Sequence, residues 1–132
     1  MRFLIQIGLV SMGSAAGGLA RWGVATGVGR VCGTAFPWGT LVVNLSGTLF
    51  LGWFSAVMSE RLFVSPVSWL RPDDLRLMVA VGFTGAYTTF STLEYESNNL
   101  LRDGDGLAGL TYLLGSLFLG LVAVRLGLWL AR

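Results

Sequence analysis

Asn44 carries the chemistry hardest to accommodate in an otherwise apolar run. It stands in Thr-Leu-Val-Val-Asn-Leu-Ser-Gly-Thr, with Thr40 and Thr48 four residues to either side and Ser55 close to the same line. A helix places that series on one face. A carboxamide brings two N–H donors, and in lipid an unpaired polar group costs several kcal/mol. Asn44 therefore needs a neighbouring helix or an ion. Tyr112, Ser116 and Gly120 repeat the four-residue interval and form a second polar stripe. Between the two stripes lies Gly82-Phe83-Thr84-Gly85-Ala86-Tyr87-Thr88-Thr89-Phe90-Ser91-Thr92, which concentrates glycine, hydroxyls and aromatic rings. Glycine and threonine are poor helix formers in water, and Gly82 with Gly85 permits an unwound segment whose freed carbonyls suit a cation. The alternative is a kinked but intact helix with its hydroxyls bonded back to its own carbonyls.

The stripes share neutral hydrogen-bond donors with no ionised carboxylate in the middle of an apolar run. That combination favours a small anion. Amide N–H, hydroxyl O–H and the positive edges of aromatic rings replace part of its hydration shell. Buried arginines would hold such an ion too tightly for conduction, which needs sites weak enough to release it. Other chemistries lack their reagents. The chain has no histidine, and its nine basic residues are all arginine. The single Cys32 can form no internal disulfide and has no histidine partner for a zinc site or a thiol nucleophile. Enzyme activity is not expected. The net charge of +2 comes from scattered arginines, so no nucleic-acid partner is expected either.

The elements that position these residues must be membrane helices. Hydrophobic residues make up 54% of the 132-residue chain and charged residues 12%, against about 25% in an ordinary soluble domain. Four stretches run about 17 residues or more without a charge, long enough to cross a hydrocarbon core of roughly 30 Å. The first is about Phe3–Ala20, ending at Arg21. The second is about Trp38–Met58, after Pro37, which suits a helix's first turn. The third lies between Arg76 and Glu94, and the fourth covers about Leu107–Leu128, with Arg125 placed to snorkel. Arg2 and the apolar run behind it resemble a leader peptide, but they read better as a membrane helix. Val24–Ala35, Glu60–Asp74 with Pro66 and Pro72, and Asn98–Gly106 read as surface loops. Trp38, Trp53, Trp69 and Trp129 mostly fall near the span ends, where amphipathic rings are stable. Residues 1–132 form one domain without internal repeats. Arginine counts modestly favour cytoplasmic termini and leave insertion in both directions open. Gly13 with Gly17 and Gly23 with Gly27 form small-residue faces that suit close helix packing and a dimer.

Three segments resemble signatures of the Fluc (CrcB) fluoride channel family in matching order: Gly-Gly-Leu-Ala-Arg at 17–21, Gly-Thr-Leu-Val-Val-Asn-Leu-Ser-Gly at 39–47, and the 82–92 segment. The resemblance implies an all-α membrane protein of four transmembrane helices, with a break in the third, assembled as an antiparallel homodimer. It implies two fluoride pathways at the subunit interface, passive fluoride export that protects the cell, and a structural sodium ion at the dimer centre. The implied site is in a cell inner membrane or plasma membrane. By motif position the sodium-binding carbonyls fall on Gly85 and Thr88, the pore asparagine is Asn44, and Phe90 is one of two paired pore phenylalanines. Tyr112 and Ser116 match the fourth-helix polar track; Thr40 and Thr48 of the first stripe, with Ser91 and Thr92 of the 82–92 segment, complete the expected fluoride pathway. Arg21 and Glu96 match structural positions. Leu93 stands where relatives carry the second phenylalanine, and Ala86 replaces a frequent glycine.

Two other functions fit four apolar spans. A small multidrug-resistance-type exporter needs a membrane-embedded carboxylate, and the first span has none. A non-transporting assembly subunit would use the polar stripes only to bind partner helices and would pass no ion.

Overall fold

The computed structural model describes residues 2–60 and 71–132, which are helical with no strand among them. Helix α1 (Arg2–Cys32) ends at Gly33, whose φ of +81° suits glycine and whose N–H donates to the Gly29 carbonyl at 3.0 Å. The helix therefore continues past Arg21, and the expected glycine-rich loop shrinks to a few residues. The reason is solvent. Glycine weakens helices in water, but in lipid the helix is the only local way to satisfy the backbone. With 31 residues α1 is about 46 Å long at 1.5 Å per residue, longer than the hydrocarbon core, so it must tilt or project.

Helix α2 (Trp38–Glu60) follows Pro37, whose carbonyl accepts from Leu41 N–H at 3.2 Å. Helix α6 (Gly106–Leu130) is capped by the Asp105 side chain, which accepts from Ala108 N–H at 3.2 Å. Both match the expected spans to within about two residues.

The expected third span is not one helix. It is a series: α3 (Pro72–Arg76), a π-helical segment (Leu77–Thr84), α4 (Gly85–Tyr87), two extended residues at Thr88 and Thr89, and α5 (Phe90–Arg102). In the π-helical segment Thr84 Oγ1 donates to the Val79 carbonyl five residues back, at 3.0 Å. Pro72 opens α3 rather than lying in a loop, while Arg61, Pro66 and Trp69 lie outside the described residues. Because α5 runs to Arg102, the turn before α6 is confined to residues 103–105, with Gly104 at φ +90°.

Helix α2 packs mainly along α6, and α1 against the π-helical segment. Both contacts are glycine-mediated. A Cβ on Gly52 would come 2.5 Å from the Val124 carbonyl oxygen, and one on Gly127 would strike that of Leu49. Gly13 and Gly17 lie in the same way against the backbone of Met78 and Phe83. A methyl on Gly23 or Gly27 would meet nothing within 4 Å, so that face of α1 is uncovered. Apolar side chains cover the outside as well as the core, and polar ones are buried among them. Thr40, Thr84, Ser97, Ser116 and Tyr112 are buried, while Phe3, Leu19, Trp22, Leu114 and Phe118 are exposed. Three helices, over Arg2–Cys32, Trp38–Ser59 and Gly106–Leu130, are long and apolar enough to cross a membrane. The protein is a multi-pass membrane protein.

Candidate functional site: a donor-lined cleft at the helix break

The break between α4 and α5 is held by one side chain. Asn44 on α2 donates from Nδ2 to the Thr89 carbonyl at 3.0 Å, and its Oδ1 accepts from Thr89 N–H at 2.8 Å. The carboxamide thus pairs with an extended peptide unit as a neighbouring strand would. The effect extends over two turns. In an unbroken helix Thr89 N–H would serve the Gly85 carbonyl and Thr92 N–H the Thr88 carbonyl. Asn44 takes the first donor, and the Thr89 hydroxyl, acting as N-cap of α5, takes the second at 3.3 Å. The carbonyls of Gly85 and Thr88 lose their helical donors together. Gly85 lies on the exposed side of the chain, while Thr88 Oγ1 donates back to the Thr84 carbonyl at 2.9 Å.

A cleft of about 230 Å³ opens beside this break, between α2, the start of α5 and α6. Its wall includes Asn44, Thr48, Thr88, Thr89, Phe90 and Ser116, with Leu93 and Gly120 beside them. Asn44 keeps a second N–H beyond the one given to Thr89. Ser116 Oγ is sealed from solvent and has no hydrogen-bond partner among the described residues. Thr48 donates to the Asn44 carbonyl at 2.6 Å, so its hydroxyl proton is engaged. Phe90 is 66% exposed, whereas Leu93 is 4% exposed and packed into the wall.

The remaining stripe residues meet at a second centre. Glu96 on α5 accepts from Thr40 Oγ1 at 2.9 Å and from the Tyr112 hydroxyl at 2.8 Å. Tyr112 is 2% exposed and lies edge-on to Phe36, ring centroids 5.3 Å apart. A further cleft, of about 360 Å³, reaches Thr40 and Glu96 from the α1–α2 turn. Tyr112 lines neither cleft; it sits one helical turn from Ser116 and ties Glu96 to α6.

Ser91 and Thr92 lie off the cleft wall. Thr92 Oγ1 accepts from Thr89 Oγ1 at 3.0 Å, and the Ser91 hydroxyl is 3.4 Å from the same atom. Arg21 is half-buried in the body of α1 and forms no ion pair with the described residues. The residue that sequence reasoning missed is Thr89. Its signal is the Thr-x-x-Thr spacing ahead of α5, a hydroxyl placed to cap a restarting helix.

A family model described as "CrcB-like protein, Camphor Resistance (CrcB)" matches residues 8–128. A relative from Synechococcus sp., named "Fluoride-specific ion channel FluC", is 41% identical over 93% of this chain and 89% of its own length. Proteins of the same name from Nitrosococcus oceani and Solibacter usitatus are 36% and 41% identical, over 96% and 94% of this chain and 96% of each relative. These relatives are named as channels and not as enzymes, in line with the sequence reading.

Proposed function

The chain belongs to the CrcB family, and we propose that it is a fluoride-selective channel through which fluoride leaves the cell passively. The observation that carries the reading is the cleft at the helix break. Between α2 and α6, both long and apolar enough to cross a membrane, its wall carries the Ser116 hydroxyl, which has no partner among the described residues, Asn44 with its second N–H, the Phe90 ring, and no charged side chain. A fluoride ion entering it exchanges water for neutral donors, which bind strongly enough to admit the ion and weakly enough to release it. Thr40, Glu96 and Tyr112 continue the polar line toward the second cleft.

The active unit in this reading is an antiparallel homodimer with two pathways. The composite of α3, the π-helical segment, α4 and α5 makes the fourth crossing, broken at Thr88 and Thr89. The exposed Phe90 ring and the uncovered Gly23–Gly27 face of α1 support an assembly in which a second copy closes the open side of the cleft. A structural sodium ion fits the freed carbonyls of Gly85 and Thr88. They are neutral oxygen ligands, and a pair of subunits supplies two sets of them. When bound, the ion would neutralise the partial negative charge that the break leaves on these oxygens.

An exporter coupled to protons is disfavoured because α1 carries no acidic residue and Glu96 is held by two hydrogen bonds. Expression in bacteria lacking their own fluoride export is the test. Restored growth in fluoride-containing medium is expected, and unchanged sensitivity with the protein present in the membrane contradicts the reading.

A further inference from the structure

Asn99 is a polar side chain that neither the break nor the Glu96 centre uses. It lies on α5 one turn beyond Glu96 and lines the 360 Å³ cleft together with Glu96, Thr40 and Asp103. Its Oδ1 is sealed from solvent without a partner, and its Nδ2 makes no hydrogen bond with the described residues. A carboxamide at a buried wall ordinarily finds partners for both ends, because leaving either unmade carries a desolvation cost. Here neither end has a partner among the described residues, and with Oδ1 sealed in the wall it is the Nδ2 end that is left to serve something in the cleft.

Its neighbours indicate what that is. Glu96 and Asp103 face the same cleft from positions 96 and 103, so the α5 side of this mouth is acidic on both sides of Asn99. Arg102 lies 3.7 Å from Asp103 and offsets that charge at the rim, but both side chains are well exposed and the pair is screened. A solute that reaches Thr40 and Glu96 through this cleft passes that strip. On it Asn99 offers N–H donors that a carboxylate lacks.

Building on the fluoride-channel reading, we propose that Asn99 is a mouth-side specificity residue, a neutral donor that takes up fluoride between solvent and the Glu96 centre. The test is fluoride efflux from vesicles reconstituted with the full chain, carried out on wild type, Asn99→Leu, Asn99→Gln and Asn99→Asp, each first confirmed to run as the wild-type assembly on size exclusion. Asn99→Leu keeps the size and removes the donors, and efflux is expected to fall about tenfold at low fluoride, the size of one lost charge-assisted hydrogen bond. Asn99→Gln is expected to recover most of the rate. Asn99→Asp is expected to be slower than Leu at low ionic strength and to recover toward it as salt screens the added charge, a response that a packing defect does not give. Wild-type rates in both Leu and Asp, or an Asp deficit that ignores salt, overturn the proposal while leaving the channel reading intact. Absence of fluoride efflux in the wild type removes the channel reading itself.

Discussion

Ser116 separates function from stability at the scale of one residue. Its hydroxyl is buried and has no partner among the described residues, so its removal relieves a desolvation cost instead of breaking a bond. Ser116→Ala is therefore expected to leave thermal stability unchanged or slightly higher while slowing fluoride efflux by about tenfold, a loss on the order of 1.4 kcal/mol. Equal efflux in the variant and the wild type would return Ser116 to a packing role. Asn44 behaves differently. Asn44→Ala leaves the Thr89 N–H unpaired and removes one of the donors to its carbonyl, so it is expected to lower stability by roughly 1–3 kcal/mol as well as efflux. A variant with wild-type melting would mean that the break does not depend on this clasp. Spacing alone placed Asn44, Thr40 and Thr48 on one face. It could not show that Asn44 reaches Thr89, because a contact between residues 45 apart leaves no local periodicity. For the same reason the Glu96 carboxylate joining Thr40 to Tyr112 was visible only once α2, α5 and α6 were packed.

Among the elements, those whose limits are set by charge were the legible ones. Uninterrupted apolar runs delimit α2 and α6, and their ends fell close to the charged or capping residues that bound them. The extent of α1 was obscured because glycine and Arg21 signal an end in water but are tolerated in a membrane helix. Residues 77–89 form a π-helical segment, a single α-helical turn and two extended residues, a succession that local spacing does not encode; the π-helical segment packs against α1. Gly127→Ala drives a methyl into the Leu49 carbonyl and is expected to destabilise the protein by about 1–3 kcal/mol. Gly23→Ala meets open space within the protomer and should leave the protomer's own packing unchanged. Similar melting temperatures for Gly127→Ala and wild type would contradict the close α2–α6 approach. The freed carbonyls of Gly85 and Thr88 carry a prediction of their own. Exchange of sodium for a large organic cation is expected to impair fluoride flux, and full flux after thorough sodium removal would leave those oxygens without the ion assigned to them.

At the scale of the whole molecule a core that mixes Val43, Phe54 and Met58 with buried Thr40, Thr84 and Ser116 is wrapped in apolar side chains, with the cleft at the break open along one side. Neutral donors on α2, α5 and α6, in the reading proposed above, replace the hydration of a small anion and reject a larger one. The decisive experiment is anion release from vesicles reconstituted with the wild-type chain in sodium buffer, followed with fluoride- and chloride-selective electrodes in parallel. Rapid release of fluoride with chloride retained is expected. Retention of both ions, or release of both at similar rates, would contradict it.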